Sequence, residues 1–403
     1  MKFKNLSFKS VPLVRVFYAG GKSKILMGRL AWKKNKVFFE YNPEFIKCGL
    51  ELSPFKLKLQ SGVIPSSDFL YEGLFGIFND SLPDGWGRLL LDRKLIGLGY
   101  NPNELTPLDR LSFVGRHGMG ALQFEPEHPD GREKVPSNLD KIADEVKLFQ
   151  EQNDDRYVDD LLRLGGSSMG ARPKILMHKG GDDWIVKFRS IVDPIDISSI
   201  EYAYHLMAVK AKVPVPIAKL FPSRKTVGYF GVKRFDRERG KPIHMHSIGG
   251  LLHADHRVPS LDYEMLMKAT HFLTRDVREC KKQFRGAVFN VLSHNRDDHS
   301  KNFSFLMDSQ GKWSVSPFYD LTFSSGPGGE HSTMVMGEGK NPTRQHLLSL
   351  AKVGDINCNE ANEIIEEVIA AVLQWTTFAD QAKVSRSSAK MIKSAIQSVL
   401  QAF

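Results

Sequence analysis

The stretch VLSHNRDDHSKNF, residues 291–303, is the most informative part of this sequence for the fold. Its polar residues stand between two apolar segments, residues 284–292 and 303–307. A polar run between two segments that a fold would bury is typical of a loop that displays functional side chains on a rigid scaffold. The simpler interpretation is a solvated loop in which Asp and Asn residues form turns. The spacing of acidic and amide side chains within the run favours the first interpretation.

Asp297 and Asn302 are five positions apart, and Arg296 directly precedes the aspartate. Protein kinases use the pattern H-R-D-x-x-x-x-N, in which the Asp accepts the proton of the substrate hydroxyl and the Asn binds a metal ion. In this chain His294 stands one residue further upstream than in that pattern. Asp320 follows Asn302 by 18 residues. It suits a magnesium ligand because Mg²⁺ prefers hard oxygen atoms. The combination predicts a phosphoryl-transfer site.

A glycine-rich segment, LGGSSMGARPK at residues 164–174, precedes a predicted strand. Glycine lets backbone N–H groups approach phosphate oxygens, although the segment is neither a Walker A loop nor a G-x-G-x-x-G turn. Lys187 lies on the apolar strand DWIVKF, residues 183–188. A lysine there is expected to point at an anion, the alternative being solvent at a sheet edge. Glu201 opens the next predicted helix and is placed to pair with this lysine, as in kinases.

Histidines within residues 244–256 form a competing candidate, a zinc site. The side chains concerned are His244, His246, His253, Asp255 and His256. Zn²⁺ binds through three such side chains in many catalytic sites. The segment lacks His-Glu-x-x-His and every other recognised ligand spacing, so these histidines are interpreted as residues of a loop between two lobes.

The composition excludes several classes of protein. With 403 residues, 41% hydrophobic and 25% charged, this is an ordinary globular chain, long enough for roughly two or three domains. Its three cysteines are widely spaced and form no Cys-x-x-Cys pair, which excludes a disulfide framework and fits a reducing cytoplasm. No run of roughly 18 apolar residues predicts a membrane span. The start, MKFKNL, lacks the apolar region of a secretory signal, so a cytoplasmic location is expected.

The charge balance points to anionic partners. Lys and Arg number 56 against 46 Asp and Glu, which gives a net charge of +10. Such a balance favours nucleotides, nucleic acid or an acidic protein, although no groove-reading DNA-binding motif accompanies it. The alternative is weak basicity spread over a large surface.

Local patterns change along the chain. Residues 11–41 predict a β-meander, and residues 138–163 predict one helix. Short strands then alternate with a helix over residues 198–211. Helical patterns dominate after about residue 245. The order is a β-rich start, a strand-rich middle and a mainly helical end.

Taken together, the motifs resemble the HipA family, the serine/threonine-kinase toxins of bacterial toxin–antitoxin pairs. The segments that carry the resemblance are LPDGWG (82–87), FVGRHGMGAL (113–122), SSMGARPK (167–174), HSKNF (299–303) and SPFYD (316–320). The last two segments are the most specific.

The resemblance implies an α+β, protein-kinase-like fold with two lobes. A β-rich small lobe would occupy residues 126–243 and an all-helical large lobe residues 244–403, with an additional α/β subdomain over residues 1–125. It implies ATP and Mg²⁺ as cofactors and an antitoxin partner, a helix-turn-helix DNA-binding repressor encoded nearby. The substrate would be a translation component, an aminoacyl-tRNA synthetase. DNA contact would arise through the antitoxin complex, so that the cytoplasmic protein becomes nucleoid-associated when bound.

The resemblance also assigns roles to residues. Asp297 would be the catalytic base, Asn302 and Asp320 would hold Mg²⁺, and Lys187 would contact the α and β phosphates. The full set of implied ATP-binding residues is Gly165, Gly166, Ser167, Ser168, Met169, Gly170, Lys187, Glu201, Lys233, Arg234, Phe235, His299 and Lys301.

Autophosphorylation of the glycine-rich segment, at Ser167 or Ser168, would place a charge of about −2 beside the ATP phosphates and switch the enzyme off. Two alternatives stay open on the sequence alone. One is a small-molecule or lipid kinase with the same core. The other is a catalytically weak kinase-like module that acts as a DNA-bound co-repressor with its partner.

Overall fold

The fold was examined in a computed structural model that describes residues 10–66, 69–127, 138–152, 154–165 and 170–403. Helices and strands are both abundant, so the predicted mixed α+β class is confirmed. Among the described residues, no helix combines the length and the apolar character that crossing a membrane requires.

The first part of the chain is built on a five-stranded antiparallel sheet with the order β4-β3-β2-β1-β5. The predicted meander is confirmed, because β1, β2 and β3 are consecutive neighbours. In β1, Val14, Val16 and Tyr18 are buried and alternate with more exposed residues, which gives the sheet one core face. The elements are β1 (Leu13–Tyr18), β2 (Ile25–Lys33), β3 (Lys36–Tyr41), α1 (Pro43–Lys47), β4 (Val63–Pro65), α2 (Gly76–Asn79), α3 (Gly85–Gly97), α4 (Pro107–Val114) and β5 (Leu122–Glu125).

The second part contains a four-stranded antiparallel sheet with the order β6-β7-β9-β8. The prediction of a single continuous helix over residues 138–163 is wrong. Two helices occupy the region, because Asp154 accepts a hydrogen bond from the backbone N–H of Arg156 and starts a separate turn. The elements are α5 (Leu139–Gln152), α6 (Val158–Gly165), β6 (Lys174–Lys179), β7 (Asp182–Lys187), α7 (Ile197–Lys210), β8 (Ala218–Phe221), β9 (Tyr229–Lys233), β10 (Arg237–Glu238) and β11 (Lys241–Pro242).

The third part is mainly helical, but the prediction that it is all-helical is wrong. A three-stranded sheet, β12-β14-β15, and a parallel pair, β13 and β16, lie among the helices. These strands have two to four residues, too few for a clear alternating pattern. The elements are β12 (His244–Ser247), α8 (Ile248–Leu252), β13 (Leu261–Asp262), α9 (Tyr263–Thr274), α10 (Val277–Leu292), β14 (Ser304–Met307), β15 (Trp313–Val315), β16 (Thr333–Met334), α11 (Arg344–Val353), α12 (Cys358–Val372), α13 (Trp375–Gln381) and α14 (Arg386–Leu400).

The apolar core is divided in a way that matters for the site. One large cluster of buried side chains joins the first and third parts of the chain. A second cluster lies under the sheet of the second part and includes Trp86 and Leu90 of α3. The helix α7 belongs to the large cluster, through Ile200, Tyr204 and Met207 among others.

Contacts at Tyr204 fix α7 to the helical part. Its hydroxyl donates a hydrogen bond of 2.6 Å to the carbonyl oxygen of Ser293, directly after α10. Its ring packs against Trp375 of α13 at a centroid distance of 5.4 Å. At the start of α7, Asp196 accepts a hydrogen bond of 2.9 Å from the backbone N–H of Ser385. Helix α7 is therefore a fixed part of the large core, although it follows β7 in the chain.

A close contact at Gly286 of α10 gives a test of this packing. A Cβ at Gly286 would lie 2.0 Å from the Phe318 ring, whereas a Cβ at Gly97, the last residue of α3, would meet nothing within 4 Å. We expect Gly286→Ala to destabilise the protein by about 1–3 kcal/mol through overpacking. Gly97→Ala is expected to stabilise it by up to about 1 kcal/mol. Thermal unfolding of both variants checks this, and equal midpoints for Gly286→Ala and the wild type would contradict it.

Candidate active site

A cavity of about 400 Å³ lies where the two cores meet. Three parts of the chain form its wall: the start of β6, the end of β7, and the polar loop that follows α10. The lining residues that carry the argument are Gly170, Lys187, Asp297, Asn302 and Asp320, all of which the sequence had singled out.

Lys187 is the central cation of this cavity. Its ammonium group donates a hydrogen bond of 2.6 Å to the carboxylate of Glu201 on α7. It also donates a short hydrogen bond to Asp320, whose carboxylate comes from the segment after β15. The pairing of Lys187 with Glu201 that the sequence predicted is therefore observed. The strand, the helix and the later loop converge on one buried ammonium group.

The charges of this group reinforce each other. Burial alone would lower the pKa of Lys187, but Asp320 and Glu201 outweigh burial and raise it above its usual value. Burial alone would raise the pKa of Asp320, but Lys187 and Lys174 outweigh it and hold that pKa well below its usual range. Both groups are consequently ionised at neutral pH.

Asp297 has a different environment. Burial raises the pKa of its carboxyl group above the ordinary value, and the nearby Asp320 charge adds to the effect. A carboxylate with a raised pKa is a better proton acceptor than an ordinary surface aspartate. The side-chain amide of Asn302 donates a hydrogen bond of 2.7 Å to the backbone carbonyl of Asp297, which closes the loop between them. This contact leaves the amide oxygen of Asn302 as its ligand atom.

The next residue, Asp298, holds the loop in place through hydrogen bonds on its buried side. Its buried carboxylate accepts hydrogen bonds from the Tyr263 hydroxyl at 2.8 Å and from His331 at 2.9 Å. The backbone N–H of Thr333 donates a further hydrogen bond to it. Buried polar groups satisfied in this way hold a loop in one conformation. The adjacent Asp297 is thus presented to the cavity by a rigid support.

His294 and Arg296 lie outside the cavity. His294 has a left-handed backbone with φ of 57° and stacks on Phe323 at 5.2 Å. Its ring nitrogen Nδ1 is 3.1 Å from the carbonyl oxygen of Ser324. The guanidinium group of Arg296 donates to the carbonyl oxygens of Gly329 and Lys340. These residues tie the segment after Asp320 to the loop and do not line the cavity.

A smaller apolar pocket of about 70 Å³ adjoins the cavity. Lys233, Arg234 and Phe235 line it, as do Lys187 and Asp320. The charged groups of Lys233 and Arg234 are paired with carboxylates. Lys233 pairs with Asp182 at 2.7 Å, and Arg234 pairs with Asp236 at 2.7 Å. The pocket is lined by further apolar side chains, Met119, Ile185, Val232 and Met245.

The glycine-rich segment is described in part. The predicted residues Gly166, Ser167, Ser168 and Met169 lie outside the described residues. Gly170 has a φ of 100° and lines the cavity, whereas Gly165 ends α6 and is not among its lining residues.

His299 and Lys301, two further predicted ligands, line the cavity from the polar loop. Lys301 is buried and pairs with Asp84 at 2.9 Å. His299 lies 5.7 Å from His256, ring centre to ring centre. Burial, with Lys301 nearby, lowers the pKa of His256 to about 4, so this ring is neutral at pH 7.

Several lining residues were missed by sequence reasoning. They are Asp84, Arg172, Lys174, Asp193, His256 and Tyr319. Arg172 pairs with Asp193 at 3.1 Å, and Tyr319 donates a hydrogen bond of 2.6 Å to the carbonyl oxygen of Lys301. Arg172 and Lys174 stood inside the segment already quoted, and Asp84 stood inside LPDGWG. The chain spacing, however, carries no signal that joins residue 84 to residue 301.

The competing zinc site is not assembled. His244 and His246 lie on strand β12, so their assignment to a loop between lobes is wrong. Both ring nitrogens of His246 are engaged, with Asp80 at 2.6 Å and Ser53 at 3.1 Å. Within the described ranges, His, Cys, Asp and Glu side chains form no group of three or more that could hold a metal ion.

Magnesium bound together with ATP is a different case, because phosphate oxygens supply some of its ligands. Asp320 is ionised, and the Asn302 amide is oriented by its contact with the Asp297 carbonyl. Both line the same cavity, and their oxygen atoms are the hard ligands that Mg²⁺ prefers. The residues present therefore fit the ion.

Family models match most of the chain. Residues 20–125 match the HipA N-terminal domain, and residues 166–376 match the HipA-like C-terminal domain. The second match covers residues 166–174 of the glycine-rich segment, Lys187, and the loop with Asp297 and Asn302.

Solved structures with a similar fold include HipA of the Shewanella oneidensis MR-1 toxin–antitoxin system, solved with HipB and operator DNA. The TM-score is 0.68 at 15% identity, and 96% of each chain is covered. The Helicobacter pylori proinflammatory kinase CtkA matches more weakly, with a TM-score of 0.34 and 14% identity over 56% of this chain and 94% of that chain. With both of its domains matched, the chain belongs to the HipA family of serine/threonine kinase toxins.

Proposed function

We propose that this protein transfers the γ-phosphoryl group of ATP to a serine or threonine hydroxyl of a protein, with Mg²⁺ as cofactor. The observation that carries the proposal is the position of Lys187. It is held between Glu201 and Asp320 in the cavity that Asp297 and Asn302 also line. A lysine paired with a glutamate on the following helix, beside a metal-ligand aspartate and a proton acceptor, is the arrangement that protein kinases use.

The proposed mechanism uses positioning and electrostatics. Asp297 accepts the proton of the acceptor hydroxyl. At the same time the oxygen of that hydroxyl forms a bond to the γ-phosphorus. The bond from that phosphorus to the β–γ bridging oxygen breaks, and ADP leaves with the electron pair. Lys187 neutralises charge on the α and β phosphates, and Gly170 and Lys301 line the end of the cavity where the γ-phosphate would lie. Magnesium, held by Asn302 and Asp320, would neutralise charge on the β and γ phosphates.

The apolar pocket beside Phe235 is proposed to take the adenine ring. It is continuous with the main cavity, since Lys187 and Asp320 line both. The wall is apolar, and the neighbouring cations Lys233 and Arg234 are neutralised by carboxylates. A neutral heteroaromatic ring fits such a wall better than phosphates do.

The division into three units, residues 1–125, 126–243 and 244–403, remains a prediction, as do the partners. A helix-turn-helix antitoxin is proposed to neutralise the kinase and to bring it to DNA. Support comes from the fold shared with the Shewanella HipA, which was solved with HipB and operator DNA. The net charge of +10 is compatible with nucleotide and nucleic-acid partners. The proposed substrate is an aminoacyl-tRNA synthetase, and the proposed off-switch is phosphorylation of Ser167 or Ser168.

The test is the intact mass of the purified, unphosphorylated protein after incubation with ATP and Mg²⁺. We expect a gain of one phosphate, mapped by peptide analysis to residues 165–174, and no gain for Asp297→Ala. Loss of the general base typically costs about 10²–10⁴ in rate. The same gain in the variant, or none in either protein and none on added synthetase, would contradict the proposal.

A further inference from the structure

Asp84 stands at the position before α3 where an aspartate usually caps the helix. Such a side chain normally accepts a hydrogen bond from the first turn of its own helix, which is worth about 1 kcal/mol. The Asp84 side chain makes no such bond. Its carboxylate is directed away from α3, so an interaction elsewhere takes the place of the cap.

That interaction joins two segments of the proposed active site. One carboxylate oxygen of Asp84 accepts a hydrogen bond of 2.9 Å from the ammonium group of Lys301 in the polar loop. The other accepts a short hydrogen bond from the backbone N–H of Gly170, within the glycine-rich segment. The backbone N–H of Trp86 donates a bond of 3.1 Å to the carbonyl oxygen of Gly170. Both backbone polar groups of Gly170 are thus bonded to residues 84–86.

The backbones approach each other very closely at this point. A Cβ on Gly85 would lie 2.5 Å from the Cα of Ala171, and Gly85 has a φ of 37°. Only glycine fits such a contact without displacing the neighbouring chain. The turn at residues 84–86 is therefore packed directly against residues 170–171 of the glycine-rich segment.

Charge makes the contact with Lys301 consequential. Burial alone would raise the pKa of Asp84, but Lys301, the backbone N–H of Gly170 and Lys174 together outweigh it and hold that pKa below its usual value. The carboxylate is therefore ionised at neutral pH. Lys301 is itself buried, and both residues line the cavity that also contains Lys187 and Asp297. A buried ammonium group on a flexible stem needs a fixed counter-charge to keep one position.

We propose that Asp84 is a positioning residue for phosphoryl transfer, which holds Lys301 and Gly170 in register at the γ-phosphate end of the cavity. The inference rests on the proposed kinase function and extends the site to the amino-terminal part of the chain. Asp84 acts through Lys301 and takes no proton in the reaction. The amino-terminal part of the chain thereby contributes a side chain that holds two groups of the active site in place.

The decisive variant is Asp84→Asn. Asparagine keeps the size and can still accept a hydrogen bond from Gly170, but it loses the charge that holds Lys301. We expect kcat for ATP turnover to fall ten-fold or more, since small misplacements at a reacting centre can cost about 10². KM for ATP is expected not to rise, because the cavity gains net positive charge. A purely structural defect would raise KM and lower the unfolding temperature instead.

Two comparisons sharpen the result. Glu72→Gln removes a carboxylate that does not line the cavity and that pairs with the half-exposed Arg88 at 2.9 Å. This variant is expected to leave kcat and KM unchanged. In a double-mutant cycle, Asp84→Asn should have little further effect on kcat once Lys301→Met is present. Additive losses in this cycle, or equal kcat for Asp84→Asn and the wild type, would overturn the inference.

A readout independent of catalysis separates this inference from the kinase proposal. The acylation rate of Lys301 by N-hydroxysuccinimidyl acetate, followed by peptide mass, is expected to rise at least five-fold in Asp84→Asn and to stay unchanged in Glu72→Gln. An unchanged rate in Asp84→Asn would overturn the role of Asp84. A different result is also informative: the wild type shows no ATP turnover, but Lys301 is acylated faster in Asp84→Asn. That result would overturn the kinase proposal and support the role of Asp84 in positioning Lys301.

Discussion

Lys187→Met is expected to lose at least about 100-fold in kcat for phosphoryl transfer, because removing one preorganised charge from an active site typically costs about 10²–10³. Methionine keeps the apolar stem but leaves the carboxylates of Glu201 and Asp320 facing the phosphates without a cation between them. The measurement is the initial rate of ATP turnover at saturating ATP and Mg²⁺.

Lys219→Met is the matched control. Lys219 lies on β8 of the same sheet and is exposed, with its ammonium group 4.2 Å from the centre of the Trp184 ring. This variant is expected to keep full activity. Lys187→Met also leaves buried carboxylates unpaired, so its folding needs a check. The double variant Lys187→Met/Glu201→Gln removes one of them and should recover stability without recovering activity. Wild-type turnover in either Lys187 variant would refute the role of the lysine.

Asp236→Asn is expected to cost about 3–5 kcal/mol of stability, the usual effect of breaking a buried ion pair on one side. Asp236 is fully buried and accepts hydrogen bonds from Arg234 at 2.7 Å, from Arg237 at 2.7 Å and from the backbone N–H of Gly120 at 2.8 Å. Without its charge the buried guanidinium group of Arg234 and the partly buried one of Arg237 lose their counter-ion. A thermal unfolding experiment on both proteins measures the effect.

The pH dependence of this loss has a definite sign. Burial alone would raise the pKa of Asp236, but Arg234, Arg237 and the backbone N–H of Gly120 together outweigh it, and the folded-state pKa lies below the ordinary value. Its contribution is therefore complete above the unfolded pKa of about 3.9 and is lost as the pH falls through the folded value. The difference in unfolding free energy between the wild type and Asp236→Asn should therefore become smaller in strong acid.

The control for this stability prediction is Asp182→Asn. Asp182 pairs with Lys233 at 2.7 Å, and both side chains are about one-third exposed. Exposed pairs are worth about 0–1 kcal/mol. Equal losses for Asp236→Asn and Asp182→Asn would show that burial of the pair is not what matters.

The chain spacing was informative for groups that sit close together in sequence or on regular elements. Asp297 and Asn302 share one loop, and Lys187 and Glu201 are separated by one strand-to-helix connection. Local geometry then decides their distance, and Glu201 meets Lys187 as expected. Asp320 joined them in the prediction because kinases share this order, and it does contact Lys187.

Other features depend on tertiary contacts that no local pattern encodes. Asp84 and Lys301 are 217 positions apart, and only the packing of the amino-terminal part against the polar loop brings them together. The strand His244–Ser247 pairs with Ser304–Met307, some 60 residues later, so its histidines looked like loop residues in the sequence. The break between α5 and α6 depends on one local side-chain hydrogen bond that competes with the helix.

The membership of α7 in the large core has a consequence for control of the enzyme. Many protein kinases are switched by moving the glutamate-bearing helix away from the lysine. Here that helix contributes Tyr204 to the core and donates a hydrogen bond to Ser293, so an outward swing would require partial unfolding. Displacement of α7 is therefore not available to this enzyme as a low-energy inactive state. We expect the folded enzyme to be active without a prior activation step. Its inhibition must then come from occlusion of the site or from covalent modification, which includes its own phosphorylation of the glycine-rich segment.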